Sequence, residues 1–311
     1  MKYLPFQILL VLLLCCSPLH AEETAEEVAQ RIYQANINAL LVFTSQEGLN
    51  SGHYRFSNIG VKMDIYHLPF LYQLDVGNET INMFMMGNVG YSRAYVHEDI
   101  DIHEYSSLSH DNQMNTYTGG IGAGVRFKTA WDIDILTGLE LIYSRSGINV
   151  HNPDNAIGGA IEEFFKGKYN DNLTYKFLFQ LEHHKEINGF NLYATLGYKL
   201  YETKADFNFN ALTSFTTQSS VASFGAGIET PKLFSFHEMY LTLEGYLYGH
   251  YLNGDIVDVV DFEAYSTVGV VAYWYTEDKP NWAERFFLEL STVNSAGLEG
   301  YNLGIGFTVD F

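Results

Sequence analysis

Both cysteines of this 311-residue chain, Cys15 and Cys16, fall in one apolar run near the N-terminus. The remainder has none, which excludes disulfides, thiol catalysis and cysteine-ligated metals there. Also missing after that run is any stretch of about eighteen apolar residues, so nothing downstream can cross a bilayer as a helix. Proline is scarce, at 6 residues, and cations are few, 17 Lys and Arg against 37 Asp and Glu, for a formal net charge of -20. So acidic a chain is a poor partner for nucleic acid. The abundant residues are 23 Tyr, 22 Phe and 27 Gly.

The first 21 residues read as a secretory signal: Lys2 gives a positive start, residues 4–16 form an apolar core, and Ser17 to Ala21 lead to a cut before Glu22. The run Leu13-Leu14-Cys15-Cys16 lacks the small residue expected before a lipidated cysteine, so a cleaved signal is preferred to a lipoprotein anchor. Residues 22–36 then carry Ala25, Val28, Ala29, Ile32 and Ala35 at helical spacing, with Glu22, Glu23, Glu26 and Glu27 in the first turns, where the helix dipole favours them. The spacing predicts a short amphipathic helix, either threaded into the domain downstream of it or left as a terminal tail.

From residue 37 onward the dominant signal has period two. Trp131, Ile133, Ile135, Leu139, Leu141 and Tyr143 oppose Asp132, Asp134, Gly138, Glu140 and Ser144, and Phe190, Leu192, Ala194, Leu196, Tyr198 and Leu200 oppose Asn191, Thr195, Gly197 and Lys199. The last residues alternate strictly, with Tyr301, Leu303, Ile305, Phe307, Val309 and Phe311 on one face and Asn302, Gly304, Gly306, Thr308 and Asp310 on the other. The pattern predicts strands at about 37–46, 56–74, 81–92, 117–128, 131–145, 173–184, 189–203, 217–229, 238–251, 262–275, 284–293 and 300–311.

Their connections alternate between long and short, as expected when long extracellular loops interleave with short periplasmic turns. The outer loops would be 47–55, 93–116, 146–172, 204–216, 252–261 and 294–299, and the inner turns 75–80, 129–130, 185–188, 230–237 and 276–283. The fold expected over residues 37–311 is all-β, a transmembrane antiparallel barrel of twelve strands, with ten as the alternative because the first two strands are the weakest. Pro69, awkward inside a central strand, suggests a bulge or bend near Leu68.

With its pre-strand helix, twelve strands and aromatic C-terminal strand ending on Phe311, the chain resembles the translocator domain of autotransporters, and most closely solitary autotransporter-like barrels without a passenger. The resemblance covers most of the chain and rests on architecture. It implies an integral, monomeric protein of the Gram-negative outer membrane, in contact with its lipid and lipopolysaccharide. It further implies insertion by the barrel assembly machinery, which reads the Tyr301-to-Phe311 pattern, and a non-enzymatic structural or surface-interaction role. A small porin-like channel is the alternative, and a surface lipid or peptide hydrolase the third reading.

No cofactor, metal or catalytic set stands out. Ser144 in Tyr143-Ser144-Arg145-Ser146 lacks the histidine two residues earlier that barrel phospholipases use, position 142 being Ile. His97, Glu98, Asp99, Asp101, His103 and Glu104, followed by His110 and Asp111, supply imidazoles and carboxylates, but such groups are common in any acidic loop, and a solvated loop is the preferred reading. His183-His184, beside an inner turn, is read as ordinary. Alternation places Arg126, Lys128, Asp132, Asp134, Glu140, Lys176 and Lys199 in the lumen, with Glu182 and Glu244, as a mixed-charge lining for a pore or an inserted helix.

Overall fold

A computed structural model describes residues 49–77, 80–100, 108–151, 169–207, 215–237, 239–276 and 285–308. The strands are β1 Leu49–Phe56, β2 Val61–Gly77, β3 Ile81–Ile100, β4 Leu108–Lys128, β5 Ile133–His151, β6 Tyr169–Ile187, β7 Phe190–Phe207, β8 Phe215–Glu229, β9 Phe234–Phe236, β10 Met239–Gly254, β11 Ala264–Thr276, β12 Arg285–Asn294 and β13 Leu298–Thr308, with one helix, α1, at Asp255–Val260. All belong to one antiparallel sheet, which closes through β13 to β1 and through β10 to β11. The three-residue β9 pairs only with the foot of β10, so twelve strands form the ring.

Closure follows from the solvent: in lipid an open edge would leave backbone donors and acceptors unpaired, at several kcal/mol each. The seam runs from Leu49 opposite Ile305 to Phe56 opposite Leu298. Along it Tyr301, Leu303 and Ile305, and just beyond it Phe307, face outward and are exposed. Val309 and Phe311 of the C-terminal pattern lie outside the described residues, as do the presumed signal, the 22–36 helix and the 37–46 strand.

Several boundaries differ from expectation for physical reasons. Residues 47–55, expected as a loop, fall largely in β1, whose large apolar side chains Tyr54 and Phe56 point inward while His53 and Arg55 point outward. Most of the expected 93–116 loop is strand: β3 and β4 pair as far as Ile100 opposite Leu108, which places the backbone of His97, Glu98, Asp99, His110 and Asp111 in the ladder, while Asp101, His103 and Glu104 lie outside the described residues. The expected 230–237 turn contains β9. Nor is there an irregularity at Pro69, which pairs in register with Asn88; the shift falls between Leu74 and Gly77. Pro69 is tolerated because it lies beyond the last β1–β2 pair, Asn50 opposite His67, where no ladder to the described part of β1 requires its missing donor.

Inside the ring, glycines alternate with large side chains. The Tyr193 ring lies where a Cβ on Gly227 would stand, that of Tyr246 covers Gly269, and Gly120 leaves the gap across which Asn88 reaches Glu140. Each bulky residue thus spans a neighbouring strand through a glycine slot. We expect Gly227→Val, which fills such a slot, to lower unfolding stability by about 1–3 kcal/mol. Gly245→Ala, with open space at its Cβ, should stay within about 0.5 kcal/mol of wild type. Urea unfolding in lipid vesicles, followed by tryptophan fluorescence, measures both.

Candidate functional site

The barrel interior is apolar in its outer part and mostly polar below, where Phe84, Met86 and Leu136 form a small apolar cluster of their own. On β2 the facing pattern inverts along one strand: from Leu68 downward the apolar side chains Leu68 and Phe70 are outside, whereas above, Val61, Met63 and Ile65 are buried inside and Lys62 is outside. Apolar groups face outward where the surroundings are hydrocarbon and inward where they are headgroup and water. The inversion therefore marks the outer edge of the membrane.

Above that edge the lumen is filled. Helix α1, in the β10–β11 connection, buries Ile256, Val259 and Val260 against Tyr54, Phe56, Met63, Val221, Tyr265, Val293 and Leu298, a single cluster drawing on strands around the ring. Six residues are too few for an independent helix, so burial holds it, at about 1.5–3 kcal/mol per large apolar side chain. Its ends are tied as well. Gln218 N–H donates to Asp255 Oδ2 at 2.8 Å, Asn58 Nδ2 donates to the Asp261 carbonyl at 3.1 Å, and Asp261 ends the helix in the left-handed region at φ 58°. The expected 252–261 loop is thus an inserted plug. Its signal was in the sequence: Ile256, Val257, Val259, Val260 and Phe262 are too apolar for a free loop.

Beneath the plug lie several of the charges expected in the lumen. Glu140 is buried and accepts Lys176 Nζ at 2.8 Å and Asn88 Nδ2 on its other oxygen. Arg126 lies 3.8 Å from Asp134 and 3.6 Å from Glu182. Lys199 is on the inward set of β7, between Gly197 and Tyr201. Lys128 ends β4 and is exposed, and Asp132 is not on a strand at all: it sits in the β4–β5 turn at φ 57°, with His183 Nδ1 3.0 Å from its carbonyl.

On the opposite wall, reasoning from alternation placed Glu244 in the lumen but missed Glu229 and Glu289. There three carboxylates are held by tyrosine hydroxyls: Glu244 accepts from Tyr193 at 2.6 Å and Tyr273 at 3.1 Å, Glu229 from Tyr275 at 2.9 Å and Thr242 at 2.6 Å, and Glu289 from Tyr246. Arg285 stacks 4.3 Å over Tyr273 and donates to Tyr275 at 2.9 Å. The tyrosines at 246 and 248, and at 273 and 275, point inward together. Also missed was His250, whose Nδ1 lies 2.8 Å from Ser223 Oγ, whose Nε2 lies 3.4 Å from Thr267, and whose ring stacks on Tyr265 at 4.3 Å. Ser144 is buried inward and accepts from Asn172 at 3.3 Å.

No protein-family model matches the sequence, and no curated protein matches it. Solved structures do. The β domain of the Bordetella autotransporter BrkA aligns with a TM-score of 0.56 at 9% identity over 85% of this chain and 97% of that one. The translocator domain of the autotransporter NalP from Neisseria meningitidis aligns at 0.53, with 13% identity, over 92% and 96%. The fold is accordingly that of a Gram-negative outer-membrane β-barrel. Within that class it is autotransporter-like.

The Glu140–Lys176 pair is a sensitive point, because losing one partner strands a buried charge. Glu140→Leu should cost about 3–5 kcal/mol, and Glu140→Leu with Lys176→Met should recover most of it. A double-mutant cycle by urea unfolding in vesicles checks this.

Proposed function

We propose that the protein works as a closed, non-enzymatic outer-membrane barrel of autotransporter type, with a structural or surface-interaction role and no steady solute flux. The observation that carries this reading is the α1 plug, whose Ile256, Val259 and Val260 fill the outer mouth with apolar side chains. Hydrated solutes do not pass such a constriction without its displacement. In this reading the barrel stands as a monomer, and the assembly machinery reads the outward Tyr301, Leu303, Ile305 and Phe307 with Val309 and Phe311.

An enzymatic reading finds less support in the lumen. The Ser223–His250 pair lies among the strands below the plug, and the imidazole nitrogen away from Ser223 faces Thr267 where an orienting carboxylate would be needed.

Planar-bilayer recordings test the proposal. We expect the wild type to be closed, a variant with residues 255–261 replaced by a short Gly-Ser turn to conduct, and a variant lacking residues 22–35 to remain closed. Opening on loss of 22–35 alone would move the seal to the N-terminal segment. An open, solute-selective wild type would favour the channel.

A further inference from the structure

On the outside of the barrel, β1 and β2 place Arg55 directly opposite Lys62, and both are exposed. Like charges on opposed positions repel, and neither has an ion-pair partner among the described residues. A third cation adjoins them: Arg93 on β3 lies one step below Tyr95, the partner of Lys62. Its guanidinium is fixed in a tyrosine cradle, with Nε donating to Tyr91 at 3.1 Å and Nη1 to Tyr95 at 3.0 Å. Those bonds leave further N–H donors of the fork for a ligand.

Two carboxylates border the patch. Asp64, opposite Arg93, lies 2.6 Å from His53 Nδ1, and Glu299 lies opposite Arg55. Further round the wall, Arg145 shows what a neutralised cation looks like: Asp171 takes its Nε at 2.7 Å and its Nη2 at 3.0 Å. Among the described residues Arg55 and Lys62 have no such clamp.

Height identifies the anion that suits these cations. Tyr66, Tyr91 and Tyr117 form a row of outward rings, 6.2 and 5.0 Å between neighbouring centroids, adjoining the patch. Below them are the exposed apolar side chains Leu68, Phe70, Met85 and Val89. Aromatic girdles sit at the headgroup level, so the three cations stand at or just above it, where the outer leaflet carries its phosphates.

We propose that Arg55, Lys62 and Arg93 dock the phosphates of the bisphosphorylated glycolipid of the outer leaflet, lipid A, with its acyl chains lying along Leu68, Phe70 and Val89. The site rests on the membrane edge marked by the inversion along β2 and is independent of whether the pore conducts.

Binding of lipid A to the refolded barrel in detergent micelles, read by native mass spectrometry, tests this. Heat-modifiable gel mobility confirms that each variant is folded. Arg55→Ala with Lys62→Ala should weaken binding about 25-fold, since each cation near an anionic lipid surface contributes roughly a factor of five. Lys185→Ala, at the opposite end of the barrel, should leave binding unchanged, and enzymatically dephosphorylated lipid A should bind poorly to wild type. Equal binding by the double variant, equal binding of the dephosphorylated lipid, or occupancy by inorganic phosphate in place of the lipid would overturn the proposal. Failure of the membrane placement would show differently, as a wild-type chain that does not fold in micelles.

Discussion

Everything in this molecule depends on one demand: in hydrocarbon, each backbone N–H and C=O must find its partner within the protein. Twelve strands answer it by closing on themselves, and the seam between β1 and β13 completes the ring. At its outer end the ring is uneven: β1 ends and β13 begins at the Phe56–Leu298 pair, whereas β3 and β4 run on past the end of β2 at Val61 to the Ile100–Leu108 pair. The wall is therefore tall along β3 to β7 and low where β12, β13 and β1 meet. The α1 plug is tied across to that low side, with the Asp261 carbonyl bonded to Asn58 in the β1–β2 turn.

Once the ring is closed, the same side-chain alternation serves two opposite ends. Within the membrane, apolar groups face lipid and the lumen is mostly polar, apart from the Phe84, Met86 and Leu136 cluster; above it the pattern reverses, and the apolar set turned inward seals the mouth. The reversal along β2, from Val61, Met63 and Ile65 inside to Leu68 and Phe70 outside, is one cause with two results. It supplies the pocket into which Ile256 and Val260 pack, and it turns Lys62 and Arg55 toward the headgroups.

The polar lumen follows from the cost of burying charge. Glu140 is held between Lys176 and Asn88, while Glu229, Glu244 and Glu289 are satisfied by tyrosine hydroxyls. Buried polar groups that bond their neighbours in this way stiffen the wall they line. Interior glycines make the contacts geometrically feasible, since a side chain at Gly120, Gly227 or Gly269 would stand where the bonded groups meet.

The sequence by itself determined the class: two-residue periodicity, the absence of any further helical span and the alternating lengths of the connections lead to a twelve-stranded transmembrane barrel, because these signals are local and each strand carries its own. Strand ends were less legible. In β1 the outward side chains Ser51, His53 and Arg55 are polar, so the lipid-facing alternation that identifies a strand is lost. Tertiary structure alone decided the site. That the loop after β10 folds inward, that Asp132 leaves the lumen for a turn, that the tyrosines of β10 and β11 face carboxylates rather than lipid, and that Arg55 meets Lys62 all depend on register and closure, which bring together residues far apart in the chain.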